Sequence, residues 1–521
     1  MKYFGILLVA ALVFFSFRYQ EIRFQAHQRL KAAPEVDSSD DNPSEEGTSD
    51  SMPTDDEDQN SILTAGPAED NTHINGTLDT LSIAELNGSA RIFSDSPPDQ
   101  PTESALPPQP RDLQAGTTHS GMPESGIRQR GQLHSQMLTP ANFEYLGAFR
   151  PPHTDTNGRT FAYGGWGIGW RPPAPGTNSP GSLFIVGHQS EQLVAEITIP
   201  TPVISATRSM DELPVATVLQ NLGDISNGLL QALTDDPSQP FEIGGLYVTD
   251  DRLHWTMYRY YNVDGNDFYS HATSSLNIAD PDVEGPWHIG PQNSGRPEWH
   301  AHKFAGYIFD VPEPKAKKWF EGRRLISGLQ TSTGLGTSSS GPAMISYQLP
   351  PRGTPSGVVQ DAVPLMWFDT GRPAKNFHPA DRWTGAAWLT AGNKQSVIVV
   401  GRKALGEVFY GSARPTDCMP DKGYHGDRYE ARIQFYSPAS LIHSAYGQLQ
   451  PFSIEPWYEW GADDSGGGFN QYLFPTCHQY IGGTTVDHER NLLYVSQTLA
   501  GTTSDQEYEI LPVIHVFRIV E

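Results

Sequence analysis

The sequence predicts an all-β protein, a β-propeller of five four-stranded blades. Three observations lead to this prediction: a pair of small residues recurs along the chain, two short apolar runs separated by a turn follow each pair, and helical periodicity is almost absent. The pairs are Gly164-Gly165, Gly244-Gly245, Ala305-Gly306, Gly385-Ala386 and Gly482-Gly483. Small residues fit the crowded axis at which the innermost strands of a propeller meet.

Each element of the repeat can be read in chain order. The second unit reads GGLYV, TDDR and LHWTMYRYY, and the last reads GGTTV, DHERN and LLYVSQ, so each gives two strands joined by a turn. The Ala305 unit fits worst, because its turn PEPKAKKWFEG is long and charged. Third strands follow in every unit, for example LVAEITIP and RIQFYSP, and fourth strands follow in all but the last.

The N-terminal segment FEYLGAF, residues 143–149, supplies the strand that the last unit lacks. It precedes the first unit and has no partner there, so we expect it to close the ring. Two alternatives stay open at this point. The units lie roughly 60 to 100 residues apart against ~40 to 45 for compact blades, which leaves six or seven blades open. A β-sandwich with accidental glycine pairs is the other alternative.

The chain divides into three parts. Residues 1–19 contain an apolar run from Phe4 to Phe17 and are expected to be a signal-anchor or a signal peptide. Residues 20–137 form an acidic tether rich in Ser and Pro, which we expect to be disordered because it cannot bury enough apolar area. Residues 138–521 form the propeller domain, long enough for a large core.

The net charge of the protein limits the classes of partner that it can bind. The whole chain carries a formal net charge of −25, and residues 138–521 contain 26 basic and 39 acidic residues. Phosphate backbones require a basic face, so nucleic acid is excluded as a partner. We expect a monomer that meets the membrane only through its N-terminal segment.

The D-to-A and B-to-C loops of the blades share one face, called here the top face, where loops converge over the axis and form a pocket. The segment WHAHKF, 299–304, enters the third blade from this face. In an extended strand His300 and His302 would point the same way. The loops of the top face are also expected to hold Tyr163, His188, Glu242, Arg259, Tyr260, Asp267, His271, Arg382, Arg402, His478 and Tyr480, together with Tyr424 and His425 of the insertion KGYHGDRYEA at 422–431.

The two cysteines of the chain, Cys418 and Cys477, are both expected on the top face at one blade boundary. A disulfide between them would pin the insertion that carries Tyr424, and disulfides persist in oxidising compartments. The basic residues after the apolar run would instead keep the domain in the cytoplasm by the positive-inside rule. We give the cysteines more weight and expect an extracytoplasmic domain. Two unpaired thiols are the alternative.

Metal binding stays open as an alternative. His300 and His302 could chelate zinc with His188, His425 or Asp267, but a zinc site needs three or four ligands. The chemistry considered below requires no cofactor, and a structural or catalytic divalent metal is left undecided.

The stretch LYVTDDRLHWTMYRYYNVDGNDFYSHATSSLN, 246–277, resembles a blade of the five-bladed glycoside hydrolases. That resemblance implies two catalytic carboxylates, for which Glu191, Glu242, Asp267, Glu298 and Asp381 are the candidates. The family has an Asp at the start of its first blade, whereas this chain reads Phe161-Ala162-Tyr163 there. The departure disfavours hydrolysis.

The His, Tyr and Arg residues expected on the top face resemble the equipment of propeller polysaccharide lyases such as ulvan lyases. β-Elimination on a uronic acid needs a cation at the carboxylate, a base for the C5 proton and an acid for the leaving oxygen, which Arg, His and Tyr can supply. The candidate catalytic residues are His188, Arg259, Tyr260, His302, Tyr424 and His425. The candidate substrate-binding residues are Tyr163, Glu242, His271, Trp299, His300, Arg382, Arg402 and Tyr480.

The sequence therefore favours an extracytoplasmic lyase acting on a uronate-containing polysaccharide. Two alternatives remain: a glycoside hydrolase that uses carboxylates of the top face, and a non-catalytic propeller that binds a glycan or a protein. For WHAHKF, the hypothesis is that His302 lines the pocket and His300 supports it.

Overall fold

The computed structural model describes residues 136–236, 239–249, 251–260, 268–291, 297–331, 338–411, 423–461, 468–476 and 479–521. The expected signal-anchor and nearly all of the tether lie outside the described residues, as do both cysteines, Asp267 and His478. Among the described residues, no helix is both long and apolar enough to cross a membrane.

Strands dominate the described chain, and helices are short. The strands are β1 (Phe143–Phe149), β2 (Ile168–Arg171), β3 (Ser182–Val186), β4 (Val194–Thr198), β5 (Val218–Gly223), β6 (Glu242–Val248), β7 (Arg252–Tyr258), β8 (His271–Ser275), β9 (Glu284–Ile289), β10 (Tyr307–Asp310), β11 (Leu325–Gly328), β12 (Met344–Tyr347), β13 (Gly357–Val359), β14 (Ala362–Met366), β15 (Arg382–Ala391), β16 (Lys394–Gly411), β17 (Gly423–Tyr436), β18 (Tyr458–Trp460), β19 (Ile481–Asp487), β20 (Leu492–Thr503) and β21 (Gln506–Ile519). The α-helices are α1 (Leu229–Leu233), α2 (Glu313–Trp319) and α3 (Pro438–Ala445).

The strands form five sheets that close into a ring. The sheets are β2-β3-β4-β5, β6-β7-β8-β9, β10-β11-β12-β14, β15-β16-β17-β18 and β19-β20-β21-β1. The first strand of each sheet contacts the first strand of the next, and β19 contacts β2, so the five innermost strands surround one axis. The prediction of a five-bladed propeller is confirmed, and the alternatives of a sandwich and of six or seven blades are wrong.

Strand β1 closes the ring as the sequence predicted. It pairs antiparallel with β21, from Phe143 opposite Ile519 to Phe149 opposite Ile514, and so becomes the fourth strand of the last blade. Phe143 and Phe149 are buried, which ties the start of the domain to its end through apolar packing.

The small residues lie where the innermost strands crowd together. A Cβ added to Gly245 of β6 would lie 2.6 Å from the backbone nitrogen of Ile308 in the next blade. A Cβ on Gly167 would lie 2.9 Å from the carbonyl oxygen of Gly244. Backbones therefore approach each other across the axis at distances that only glycine allows.

Two elements of the third unit depart from a simple blade. The long charged turn contains helix α2, which buries Ala316 and exposes Lys317 and Lys318, so it packs as an amphipathic segment. The short strand β13, from the connection that leads to β14, pairs parallel with β9 as a fifth strand at the edge of the second blade. The sequence analysis did not identify that addition.

The structure corrects three placements on the top face. The segment WHAHKF forms 3-10 turns, Pro297–Trp299 and Ala301–Lys303, so the prediction of an extended strand, in which His300 and His302 would point the same way, is wrong. Tyr424 and His425 lie in β17 instead of a loop, because β16 and β17 run on as a long hairpin. His271 is the first residue of β8 and is buried.

Candidate active site

Two arginines stand side by side at the top end of the axis. Arg382 begins β15, and Arg402 is its direct partner across the antiparallel pair with β16. Directly opposed side chains lie on the same side of a sheet, so the two guanidinium groups are neighbours, and like charges in that position repel each other. Arg402 is buried and Arg382 keeps part of its surface exposed, so the pair forms a cationic feature at the entrance to the axis.

Aromatic rings hold both arginines in place. The guanidinium carbon of Arg402 lies 3.8 Å from the ring centre of Tyr480 and 4.0 Å from that of Tyr429. The guanidinium carbon of Arg382 lies 4.2 Å from the ring centre of Trp166 and 5.5 Å from that of Tyr480. Stacking on rings stabilises a guanidinium while leaving its edge available for hydrogen bonds.

A hydrogen-bonded chain connects Arg382 to a carboxylate. Arg382 Nη2 donates to the hydroxyl of Tyr258 at 3.3 Å, and that hydroxyl donates to Glu242 Oε2 at 3.0 Å. Glu242 begins β6 and Tyr258 ends β7, and the two are register partners. The set Trp166, Glu242, Tyr258, Arg382, Arg402, Tyr429 and Tyr480 is called the axial cluster below.

The surroundings of Glu242 and Tyr258 raise the pKa of both side chains. Burial raises the pKa of Glu242, against the opposing effects of Arg382 and of the hydrogen bond from Tyr258. Burial, and after it the charge of Glu242, also raises the pKa of Tyr258. Tyr258 therefore keeps its proton at neutral pH, and Glu242 is a stronger base than an exposed carboxylate.

The local sequence explains why these side chains converge. Glu242 and Tyr480 each stand two residues before the small pair of an innermost strand, and Arg382 stands three residues before one. The D-to-A loops end at these positions, so these three innermost strands each bring a side chain to the mouth of the axis. Trp166 reaches the same place from the segment just before β2.

A buried ion pair fixes the strand that carries Arg402. Lys403 Nζ donates to both oxygens of Asp381, at 2.9 Å and 3.0 Å, and the backbone nitrogens of Ala404 and His378 donate to the same carboxylate at 2.9 Å and 3.0 Å. The carboxyl is therefore fully engaged at the point where β16 leaves the blade. Asp381 serves to anchor the hairpin.

The β16–β17 hairpin reaches across the top face. A Cβ on Gly423 would lie 3.9 Å from the hydroxyl of Tyr260, which belongs to the second blade. His425 stacks on Phe409 with ring centres 5.0 Å apart, and Tyr424 meets Tyr410 edge-on at 5.0 Å. Tyr424 and His425 thus stabilise the hairpin and are placed on it, beyond the axial cluster.

Other residues expected on the top face have separate surroundings. His188 lies against Tyr163, with ring centres 5.3 Å apart, and bonds the hydroxyl of Ser190 at 2.7 Å. Arg259 pairs with Asp235 and stacks on Phe241. His271 contacts Ser327 at 2.8 Å deep between blades two and three.

The WHAHKF segment is packed into the protein. His302 is 2% exposed, its backbone nitrogen donates to His300 Nδ1 at 3.3 Å, and burial lowers its pKa to about 3. Trp299 belongs to the apolar core beside Phe304. Lys303 is fully buried, donates to the carbonyl of Ser338 at 3.1 Å, and has its pKa lowered by burial to about 8.

Among the described residues, no group of three or more His, Cys, Asp or Glu side chains is arranged to hold a metal ion. The proposed zinc ligand Asp267 lies outside those residues. The metal alternative therefore gains no support from the geometry.

Sequence reasoning missed Trp166, Tyr258 and Tyr429. Tyr258 could have been found as the cross-strand partner of Glu242, had the register of the GGLYV hairpin been counted from its turn. Tyr429 carried no signal, because its place over Arg402 depends on how far the β16–β17 hairpin extends. Trp166 stands next to the first glycine pair, which is the signal that identified the axis.

Comparisons with known proteins identify no family for this chain. No family model and no curated protein matches the chain. Among solved structures, a luciferin-regenerating enzyme is similar with a TM-score of 0.28 and 10% identity, over 73% of this chain and 94% of that one. The plexin A4 extracellular region, solved as domains 1 to 8, is similar with a TM-score of 0.26 and 9% identity, over 65% of this chain and 33% of that one.

Proposed function

We propose that the axial cluster binds the uronic acid residues of an acidic polysaccharide and cleaves the chain by β-elimination. The observation that carries the proposal is the pair Arg382 and Arg402, directly opposed on β15 and β16. Two adjacent guanidinium groups favour an anionic ligand, and a guanidinium binds a carboxylate through two parallel hydrogen bonds.

The aromatic residues suit the same ligand. Trp166 and Tyr480 meet edge-on with ring centres 5.4 Å apart, and Trp166 remains partly exposed. The partly exposed Trp166 beside Arg382 suits a sugar ring that carries a carboxylate. Carboxylate and ring can then be bound by neighbouring parts of one site.

The elimination can be assigned to residues of the cluster. Binding of the carboxylate by Arg402 and Arg382 withdraws electrons and acidifies the C5 hydrogen, and Glu242 takes that proton. The C–H electron pair forms the C4=C5 double bond while the C4–O bond breaks, and Tyr258 gives its proton to the leaving oxygen. Glu242 then returns the proton to Tyr258 through their 3.0 Å hydrogen bond, so the enzyme is restored without a co-reactant.

Elimination is preferred over hydrolysis because Asp381, a candidate for the second catalytic carboxylate, is buried and already hydrogen-bonded. A glycoside hydrolase needs two carboxyl groups that face the sugar. Asp381, one of the candidates for the second group, is 2% exposed and accepts bonds from Lys403 and two backbone nitrogens. Glu242 is then left without it as a catalytic partner.

The test uses the full chain and a panel of uronate-containing and neutral polysaccharides. Ultraviolet absorbance reports new C=C bonds and a reducing-end assay reports all chain cleavage. We expect both signals on uronate polymers, and loss of both in Tyr258→Phe and Glu242→Gln. Reducing ends alone would mean hydrolysis, and binding without either signal would mean a recognition module. That the domain works outside the cytoplasm remains part of the proposal, as inferred from its sequence.

A further inference from the structure

A second cavity lies at the opposite end of the axis from the axial cluster. It has a volume of about 150 Å³ and is bordered by the ends of innermost strands from four blades. The residues that give it its chemistry are Trp170, Tyr247, Asp310, Arg324, Thr485 and His488. This cavity is called the lower chamber.

A charged network forms one wall of the lower chamber. His488 Nε2 lies 3.0 Å from Asp310 Oδ1, and Arg324 Nη2 lies 3.5 Å from Asp310 Oδ2. The same Nη2 donates to the hydroxyl of Tyr247 at 3.2 Å. Asp310 is 10% exposed, so both of its oxygens are used within the protein and neither is directed to a ligand.

The two side chains beside Asp310 keep polar atoms that are not used within the protein. Within the described part of the chain, Nε and Nη1 of Arg324 and Nδ1 of His488 have no hydrogen-bond partner, and these side chains are 45% and 33% exposed. An arginine whose edge faces a cavity can bind a carboxylate with two parallel bonds. Asp310 lies beside both groups and would repel a dianion, so a ligand with one negative charge fits best.

The rest of the lining is less polar. Trp170 donates its ring N–H to the carbonyl of Pro180 at 3.0 Å, which orients the indole, and Val486 and Pro172 also border the space. A volume of about 150 Å³ has room for several water molecules, so the chamber suits a small molecule. An apolar or flat body can pack against these side chains while its charge meets Arg324.

We propose that the lower chamber is a second binding site, for a small monocarboxylic acid held by Arg324 and His488 with its body against Trp170. This site is independent of the axial cluster and of the proposed lyase activity. Its position at the junction of four blades means that an occupant would contact blades one, two, three and five together.

The test measures binding of benzoate to the full chain by ligand-observed NMR. Benzamide is the uncharged probe of the same shape. We expect benzoate to bind and benzamide to bind at least tenfold more weakly. Arg324→Gln and His488→Gln are each expected to weaken benzoate binding at least tenfold. Arg352→Gln, which removes an exposed arginine outside the chamber, serves as the matched control and is expected to leave binding unchanged.

The variant Arg402→Gln distinguishes benzoate binding in the lower chamber from binding at the axial cluster. Benzoate binding that persists in Arg402→Gln and is lost in Arg324→Gln supports the lower chamber, whether or not the protein cleaves polysaccharides. Absence of benzoate binding, equal binding of benzamide, or loss in Arg402→Gln alone would overturn the proposal. Melting temperatures of all variants identify any that fail to fold, and His488→Gln then decides in place of Arg324→Gln.

Discussion

Arg382 and Arg402 are direct cross-strand partners, and both guanidinium groups stack on the ring of Tyr480, at 5.5 Å and 3.8 Å. Two like charges in this position would destabilise an ordinary sheet. The aromatic frame and Glu242 reduce that cost. An anionic ligand bound by both guanidinium groups would reduce it further, which is why the pair is central to the predictions that follow.

Arg402→Gln is expected to weaken binding of uronate oligosaccharides roughly 10- to 100-fold, because a hydrogen bond to a charged group contributes about 1.5–3 kcal/mol. Arg402→Lys should recover only part of the loss, since an ammonium lacks the planar fork. Calorimetric titration with a uronate oligomer measures both. Arg428→Gln removes an exposed arginine from the same hairpin and is the control. Equal affinities of Arg402→Gln and Arg428→Gln would contradict the assignment.

The acid limb of the pH–activity profile is expected to lie above the ordinary carboxyl range, because burial raises the pKa of Glu242 and the reaction needs its ionised form. Activity should fall as the pH drops through that raised value. Turnover measured across pH on a uronate polymer checks the position of the limb. A limb near the model-peptide value of about 4.3 would contradict the role of Glu242.

The same pKa shift has a consequence for stability. A carboxyl whose pKa is higher in the folded state favours folding while it is protonated, and that contribution is lost as the pH rises through the folded value. Glu242→Gln is therefore expected to gain stability relative to the wild type as the pH rises from acid to neutral. Urea unfolding of both proteins at several pH values measures the difference. A constant difference across the range would mean that Glu242 does not titrate in this way.

Lys403→Met is expected to destabilise the protein by about 3–5 kcal/mol, because it leaves the buried carboxylate of Asp381 without its ion partner. Lys375→Met makes the same chemical change at an exposed pair with Glu455 and should cost less than about 1 kcal/mol. Denaturant unfolding compares the two variants. Equal costs would show that the Asp381–Lys403 pair does not anchor the hairpin.

The architecture could be predicted from the sequence because it depends on local patterns. Glycine pairs marked the innermost strands, and an unpartnered segment with the right alternation marked β1. Part of the site followed from the same logic, since Glu242, Arg382 and Tyr480 stand next to those pairs. Tyr429 could not be predicted, because its contact with Arg402 depends on strand register beyond the end of the blade.

The histidines show where sequence reasoning fails. A pair such as His300 and His302 carries no information about its own burial, and the turn that begins at Pro297 takes it out of the extended conformation. The lower chamber could not be predicted from the sequence either, because its residues come from four blades and share no spacing in the sequence. Both cases depend on tertiary packing rather than on a local period.

Deletion of residues 1–149 is expected to destroy cooperative unfolding, whereas deletion of residues 1–135 should leave the melting temperature unchanged. The longer deletion removes β1, so it leaves β21 as an unpaired edge and exposes the partners of the buried Phe143 and Phe149. Circular dichroism on heating compares the two truncated proteins, and light scattering reports aggregation through the open edge. Strand β1 joins the last blade from the opposite end of the domain, so its loss should loosen the whole ring rather than one sheet. Cooperative unfolding of the 150–521 protein at the same temperature would contradict a closing role for β1.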